Sequence, residues 1–130
     1  MTNRKVMLDT NAVLRFITND NHEKSKKVSD LIKTVDCIVS VEVIAEAVYN
    51  LEKNYNHSRQ LIAEEIKDFI DIKDNLVFEE NVVRYGCNIY VSTRLDFIDC
   101  LLVGYANVND NPVFTFDEDL KRQLENKAYS

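Results

Sequence analysis

Four short apolar runs are separated by stretches whose apolar residues recur at helical spacing: Lys5–Leu8, Cys37–Val39, Leu76–Phe78 and Val113–Phe116. This alternation limits the fold more than any other feature. Between the runs, Val28, Leu31, Ile32 and Val35 recur at helical spacing, as do Ile44, Ala47, Val48 and Leu51, and then Leu61, Ile62, Glu65, Ile66 and Phe69, with one polar break at Glu65. Ser40 and Ser58 are the expected N-caps of the second and third of these helices. Pro112 can open the last strand without breaking its ladder. Strands alternating with helices imply right-handed βαβ crossovers, hence an α/β fold with a mainly parallel sheet covered on both faces. In such sheets ligands bind beyond the carboxyl ends of the strands.

With 130 residues, only two Gly and one Pro, the chain is expected to form a single domain over residues 1–130, without linkers or repeats. No apolar run nears the ~20 residues of a membrane span. The run after Arg4-Lys5 is too short for a signal-peptide core, so a soluble, cytoplasmic protein is expected. Cys37, Cys87 and Cys100 are odd in number and sit among apolar neighbours, which reads as reduced core thiols. His22 and His57 lack ligand spacing, no phosphate-cradling glycine loop is present, and no Ser or Cys has a nearby His base. The net charge of −6 argues against broad nonspecific nucleic-acid binding.

Four carboxylates stand out against this background. Asp9 closes Val6-Met7-Leu8, Asp117 follows Val113-Phe114-Thr115-Phe116, Glu46 lies in the helix after Cys37-Ile38-Val39, and Asp99 is the only charged residue in 97–108. A carboxylate beside an apolar interior costs several kcal/mol unless it is paired or metal-bound. Converging carboxylates therefore point to divalent cations, the equipment of phosphodiester chemistry. Each also has an ordinary reading. Asp9 and Asp117 could simply cap the helices that follow them. Glu46 falls opposite the Ile44, Ala47, Val48, Leu51 stripe, where a solvated face is expected. Asp99 sits in a helix apolar nearly all round, so burial and a partner cation or arginine are expected; Asp96, three residues earlier, is its rival as ligand and the expected N-cap.

The same residues resemble the motifs of the PIN-domain family. Val6-Met7-Leu8-Asp9-Thr10-Asn11 is similar to the first motif, and Ser40 to Val48 to the second, its acid falling on Glu46. Leu95-Asp96-Phe97-Ile98-Asp99 is similar to the third, with the acid on Asp99, and Val113-Phe114-Thr115-Phe116-Asp117 to the fourth. Order and spacing agree across nearly the whole chain, and the single-domain size resembles the VapC-type toxins of toxin–antitoxin pairs. The resemblance implies a three-layer α/β/α sandwich, Mg²⁺- or Mn²⁺-dependent endoribonuclease activity on RNA, a homodimer and a cognate antitoxin. The family's final strand has no obvious counterpart after Asp117, so a four- to five-stranded sheet with a reduced edge is expected.

On this resemblance Asp9 and Asp99 hold the metal, with Asp117 completing or sharing the site, and Glu46 orients or deprotonates the attacking water or helps to bind a second ion. Asn11 and Thr115 are expected to orient the acids. Arg15 is a candidate phosphate contact, its ordinary reading being a solvated helix residue. Two alternatives remain: another Mg²⁺-dependent phosphoryl-transfer domain with an aspartate nucleophile, and a catalytically silent binding module of the same fold. Asn11 stands where the phosphatase arrangement would place its second acid, which weighs against the former.

Overall fold

A computed structural model describes residues 4–129. Backbone contacts divide the chain into two compact units, Met1–Phe78 and Glu79–Ser130.

The first unit holds β1 (Val6–Met7), α1 (Thr10–Thr18), α2 (His22–Thr34), β2 (Cys37–Ile38), α3 (Val41–Lys53) and α4 (Arg59–Ile70). β1 and β2 pair in parallel, with Val6 opposite Cys37 and Met7 opposite Ile38. Val6 N donates to Asp36 O at 2.7 Å and Leu8 N to Ile38 O at 3.0 Å. Parallel pairing then passes to the next apolar run: Val39 bridges Val77, with Val39 N to Leu76 O at 2.8 Å and Phe78 N to Val39 O at 3.0 Å. Three of the expected strands thus pair in parallel, but with a shorter ladder than the apolar runs suggest.

The helices take the faces their spacing dictates. Ile44, Ala47, Val48 and Leu51 of α3 are buried, as are Ile62, Ile66 and Phe69 of α4. Ser40 and Ser58 cap them, accepting from Val43 N and Leu61 N. In α2 only Ile32 of the expected stripe is fully buried, and Val35 becomes its exposed C-cap.

The second unit holds α5 (Glu80–Ser92), α6 (Phe97–Val108), α7 (Glu118–Leu124) and a 3₁₀ turn (Glu125–Lys127). α5 and α6 pack along each other. A Cβ at Gly104 would lie 2.6 Å from Val82 O, so only glycine permits this approach. Tyr90 of α5 and Phe97 of α6 meet edge to face at 5.5 Å. The fourth expected strand, Val113–Phe116, is reduced to one parallel bridge between Val113 and Ala128. The Thr115 hydroxyl explains where pairing stops: it accepts from Asp117 N at 3.0 Å and bends the chain into α7. The same bridge gives the residues beyond Asp117 an edge contact, with Tyr129 N donating to Val113 O at 2.8 Å.

The architecture among the described residues is therefore α/β, with seven α-helices and parallel strand pairing. Cys37, Cys87 and Cys100 are free and buried. None of the helices among the described residues is long and apolar enough to cross a membrane.

Candidate active site

Each aspartate of the motifs is fixed by the first turn of a helix. Asp9 accepts from Ala12 N at 2.9 Å as N-cap of α1, and Asp117 accepts from Leu120 N at 2.9 Å as N-cap of α7. Asp96, as expected, is the N-cap of α6 and accepts from the Asp99 backbone N–H at 3.0 Å. Capping uses one carboxylate oxygen (Oδ1) in each case. Since a carboxylate offers roughly four lone-pair sites, a cap does not exhaust an acid's capacity to bind. Structural and functional readings of these residues are thus compatible.

In the first unit Asp9, Asn11 and Glu46 are exposed. Asn11 lies in the first turn of α1, the turn that the Asp9 carboxylate caps through Ala12 N–H. Glu46 stands on α3 away from its buried stripe. Arg15 is engaged within its own unit. Its Nη1 meets Asp20 Oδ2 at 2.6 Å, and Tyr55 Oη donates to the same oxygen at 2.8 Å. The Arg15 Nε is enclosed without a hydrogen-bond partner. The Tyr55 hydroxyl and then Arg15 hold Asp20 below the usual carboxylate range, while Asp20 in turn raises Arg15. A guanidinium so engaged is not the freely solvated helix residue of its ordinary reading.

In the second unit the acids feel one another. Asp99 is half-buried, and its carboxyl is pushed above its ordinary value, first by burial and then by the charges of Asp96 and Asp117. The expectation that α6 is buried all round does not hold. Phe97, Cys100, Leu101, Val103 and Ala106 are buried, but Ile98 is 56% exposed and Val108 40%. Thr115 supports Asp117 through its backbone, not through its carboxylate.

This donor chemistry fits a hard divalent cation: carboxylate oxygens without His or Cys, one of them raised first by burial and then by its neighbours' charges. Mg²⁺ keeps several waters and needs few protein oxygens. Among the described residues no three Asp, Glu, His or Cys side chains are grouped so as to hold a metal by themselves.

Two features beside these acids escape the sequence argument. Phe114 and Phe116, expected inside a strand, are 65% and 83% exposed, their rings edge to face at 5.2 Å. Arg94 and Arg122 line one polar cleft of about 330 Å³ in the second unit. In sequence each is an ordinary surface arginine, and only the fold brings both to one hollow.

The family model of the PIN domain matches residues 6–124, a span that includes all four motif acids. Comparison with curated proteins and with solved structures finds no match.

Proposed function

Because the chain belongs to the PIN-domain family, we propose that it is a Mg²⁺- or Mn²⁺-dependent endoribonuclease, the toxin of a toxin–antitoxin pair. Domains of this family are generally nucleases, hydrolases of phosphodiester bonds, and typically use divalent metals. RNA as substrate, a cytoplasmic homodimer held in check by a cognate antitoxin, and a three-layer sandwich with four to five strands complete the reading.

One observation carries it. Asp99 is half-buried in the first turn of α6, and burial first, then the charges of Asp96 and Asp117, raises its carboxyl, a setting that a bound cation would relieve. In this reading Asp9, Asp99 and Asp117 are the metal-holding carboxylates. When bound, a divalent cation stabilises charge on the phosphoryl oxygens and makes water a better nucleophile at neutral pH. Glu46 orients the attacking water and accepts its proton at a carboxylate oxygen. Asp96 fixes the first turn of α6 through the Asp99 N–H, and Thr115 fixes the turn into α7 through the Asp117 N–H. Both keep an acidic side chain from wandering.

The test is cleavage of single-stranded RNA by the purified chain in Mg²⁺ or Mn²⁺, in EDTA, and with Asp99→Asn. Internal cleavage confined to the metal-containing wild-type reactions is expected. Cleavage that persists in EDTA, or no cleavage with either ion, would sink the reading.

A further inference from the structure

We propose that the cleft between Arg94 and Arg122 seats an RNA backbone phosphate beside the bond that is cut, a proposal that rests on the nuclease reading above. The cleft measures about 330 Å³, and Ser92, Thr93 and Gln123 line it together with the two arginines. The Ser92 and Thr93 hydroxyls are spent on backbone carbonyls of α5, so the donors left for a phosphate, whose oxygens only accept, are the two guanidinium groups and the Gln123 amide. A guanidinium can meet two phosphate oxygens at once, which gives such a seat its geometry. The volume is at the lower end of the roughly 300–1,000 Å³ usual for ligand sites, which suits a backbone unit.

Position ties the cleft to the acids. Ser92-Thr93-Arg94-Leu95 runs directly into Asp96, and Arg122 and Gln123 belong to α7, the helix that Asp117 caps. The two segments that frame the cleft therefore also carry the carboxylates that act on Asp99. A strand of RNA with one phosphate at those acids has its next phosphates along the same path.

Charge points the same way. On a chain of net charge −6, a polyanion has few places to dock. Inside the cleft Asp119 pairs with Arg122, but the side chains are 68% and 72% exposed. Such exposed pairs are weak in water, so Arg122 can exchange Asp119 for a phosphate at little cost. Arg15 is in the opposite position: it shares Asp20 with Tyr55 in a more enclosed network. The arginine that the sequence offers as phosphate contact is held in that network, whereas the partner of Arg122 is an exposed carboxylate it can exchange.

The test uses the full chain with Asp99→Asn, so that labelled single-stranded RNA is bound and not cut. Affinity is measured by fluorescence anisotropy across about 50–300 mM salt, with and without Arg94→Ala and Arg122→Ala. The double substitution should weaken binding at least about fivefold and reduce the log–log salt slope by about 1.4, two single-strand contacts at ~0.7 each. Arg94→Lys with Arg122→Lys should keep most of the slope while still weakening binding, because charge survives and the bidentate geometry does not. This second pair also guards against a folding defect, checked by the thermal midpoint.

A slope unchanged by the alanine pair overturns the proposal, as does RNA binding that is unchanged while a polyglutamate peptide is lost. If the wild-type chain cuts no RNA in Mg²⁺ or Mn²⁺ but the slope falls as expected, the phosphate seat stands and the nuclease reading fails. If it cuts RNA and the slope does not move, the nuclease reading stands and the seat fails.

Discussion

At the scale of single residues, capping and burial act on the candidate carboxylates in different ways. Asp96 was legible as a cap because Asp before an apolar helix satisfies an orphan N–H, and it makes that bond. The setting of Asp99 was not legible, since an apolar helix says nothing about which of its faces finds a cover. Its carboxyl is raised by burial, then by Asp96 and Asp117. A carboxyl that binds its proton more tightly in the folded state favours folding most at low pH. That contribution is complete below the unfolded value near 3.8 and is lost as pH rises through the raised folded value. At neutral pH the ionised group is a net cost. In EDTA, Asp99→Asn should therefore raise the thermal midpoint at neutral pH, and the two proteins should converge as the pH falls below about 4. Activity should drop by more than the about 10–100-fold that an outer partner of a metal site costs. A variant less stable than wild type at pH 7 would identify Asp99 as part of a structural ion pair. Arg15 yields a second test, because Asp20 and Tyr55 hold it. Asp20→Ala removes the carboxylate that both Arg15 and Tyr55 meet and should lower the urea midpoint. An unchanged midpoint would mean that water replaces the carboxylate without loss.

At the scale of elements, helices were easier to read than strands, for a physical reason. A helix stripe repeats over several turns, as in α3 and α4, so its pattern survives local irregularity. A strand of three or four residues is defined by its partner. Val113–Phe116 has the composition of a buried strand, yet its partner reaches only Val113, and the Thr115 hydroxyl then diverts the chain. α5 was left without a reading because its buried Val82, Val83, Cys87 and Tyr90 are interrupted by Arg84, Tyr85 and Asn88. What holds α5 to α6 is also invisible in sequence: two glycines whose missing Cβ atoms set the separation. A Cβ at Gly104 meets Val82 O at 2.6 Å, and backbone cannot easily yield; one at Gly86 meets Leu101 Cδ2 at 3.3 Å, the mobile end of a side chain. Gly104→Ala should cost about 1–3 kcal/mol through overpacking. Gly86→Ala should be near neutral, since alanine's helix preference of about 1 kcal/mol offsets a small shift of Leu101. Urea denaturation of the two variants side by side checks the pair, and equal losses would refute the steric account.

At the scale of the whole molecule, the family match over residues 6–124 extends into both compact units, and the motif acids fall two in each, Asp9 and Glu46, then Asp99 and Asp117. The order of these motifs was fully legible because order is a property of sequence. Their electrostatic meaning depends on the balance of the entire chain, 22 acidic against 16 basic residues. A surface with that surplus attracts basic groups, and the acids at the proposed site are where a cation gains most. An antitoxin that inhibits by occupying the site should therefore present an arginine, whose fork can take two carboxylate oxygens at once. Arginine and Mg²⁺ then compete for the same oxygens, and each lowers the apparent affinity of the other. Inhibition of RNA cleavage by the partner should weaken as Mg²⁺ is raised at constant ionic strength. Changing that arginine to glutamine should remove the magnesium dependence along with most of the inhibition. Holding ionic strength constant matters, because salt alone weakens any contact with so acidic a surface. Inhibition that is indifferent to magnesium would mean that the partner excludes RNA from a surface away from the carboxylates, and the competition would have to be abandoned.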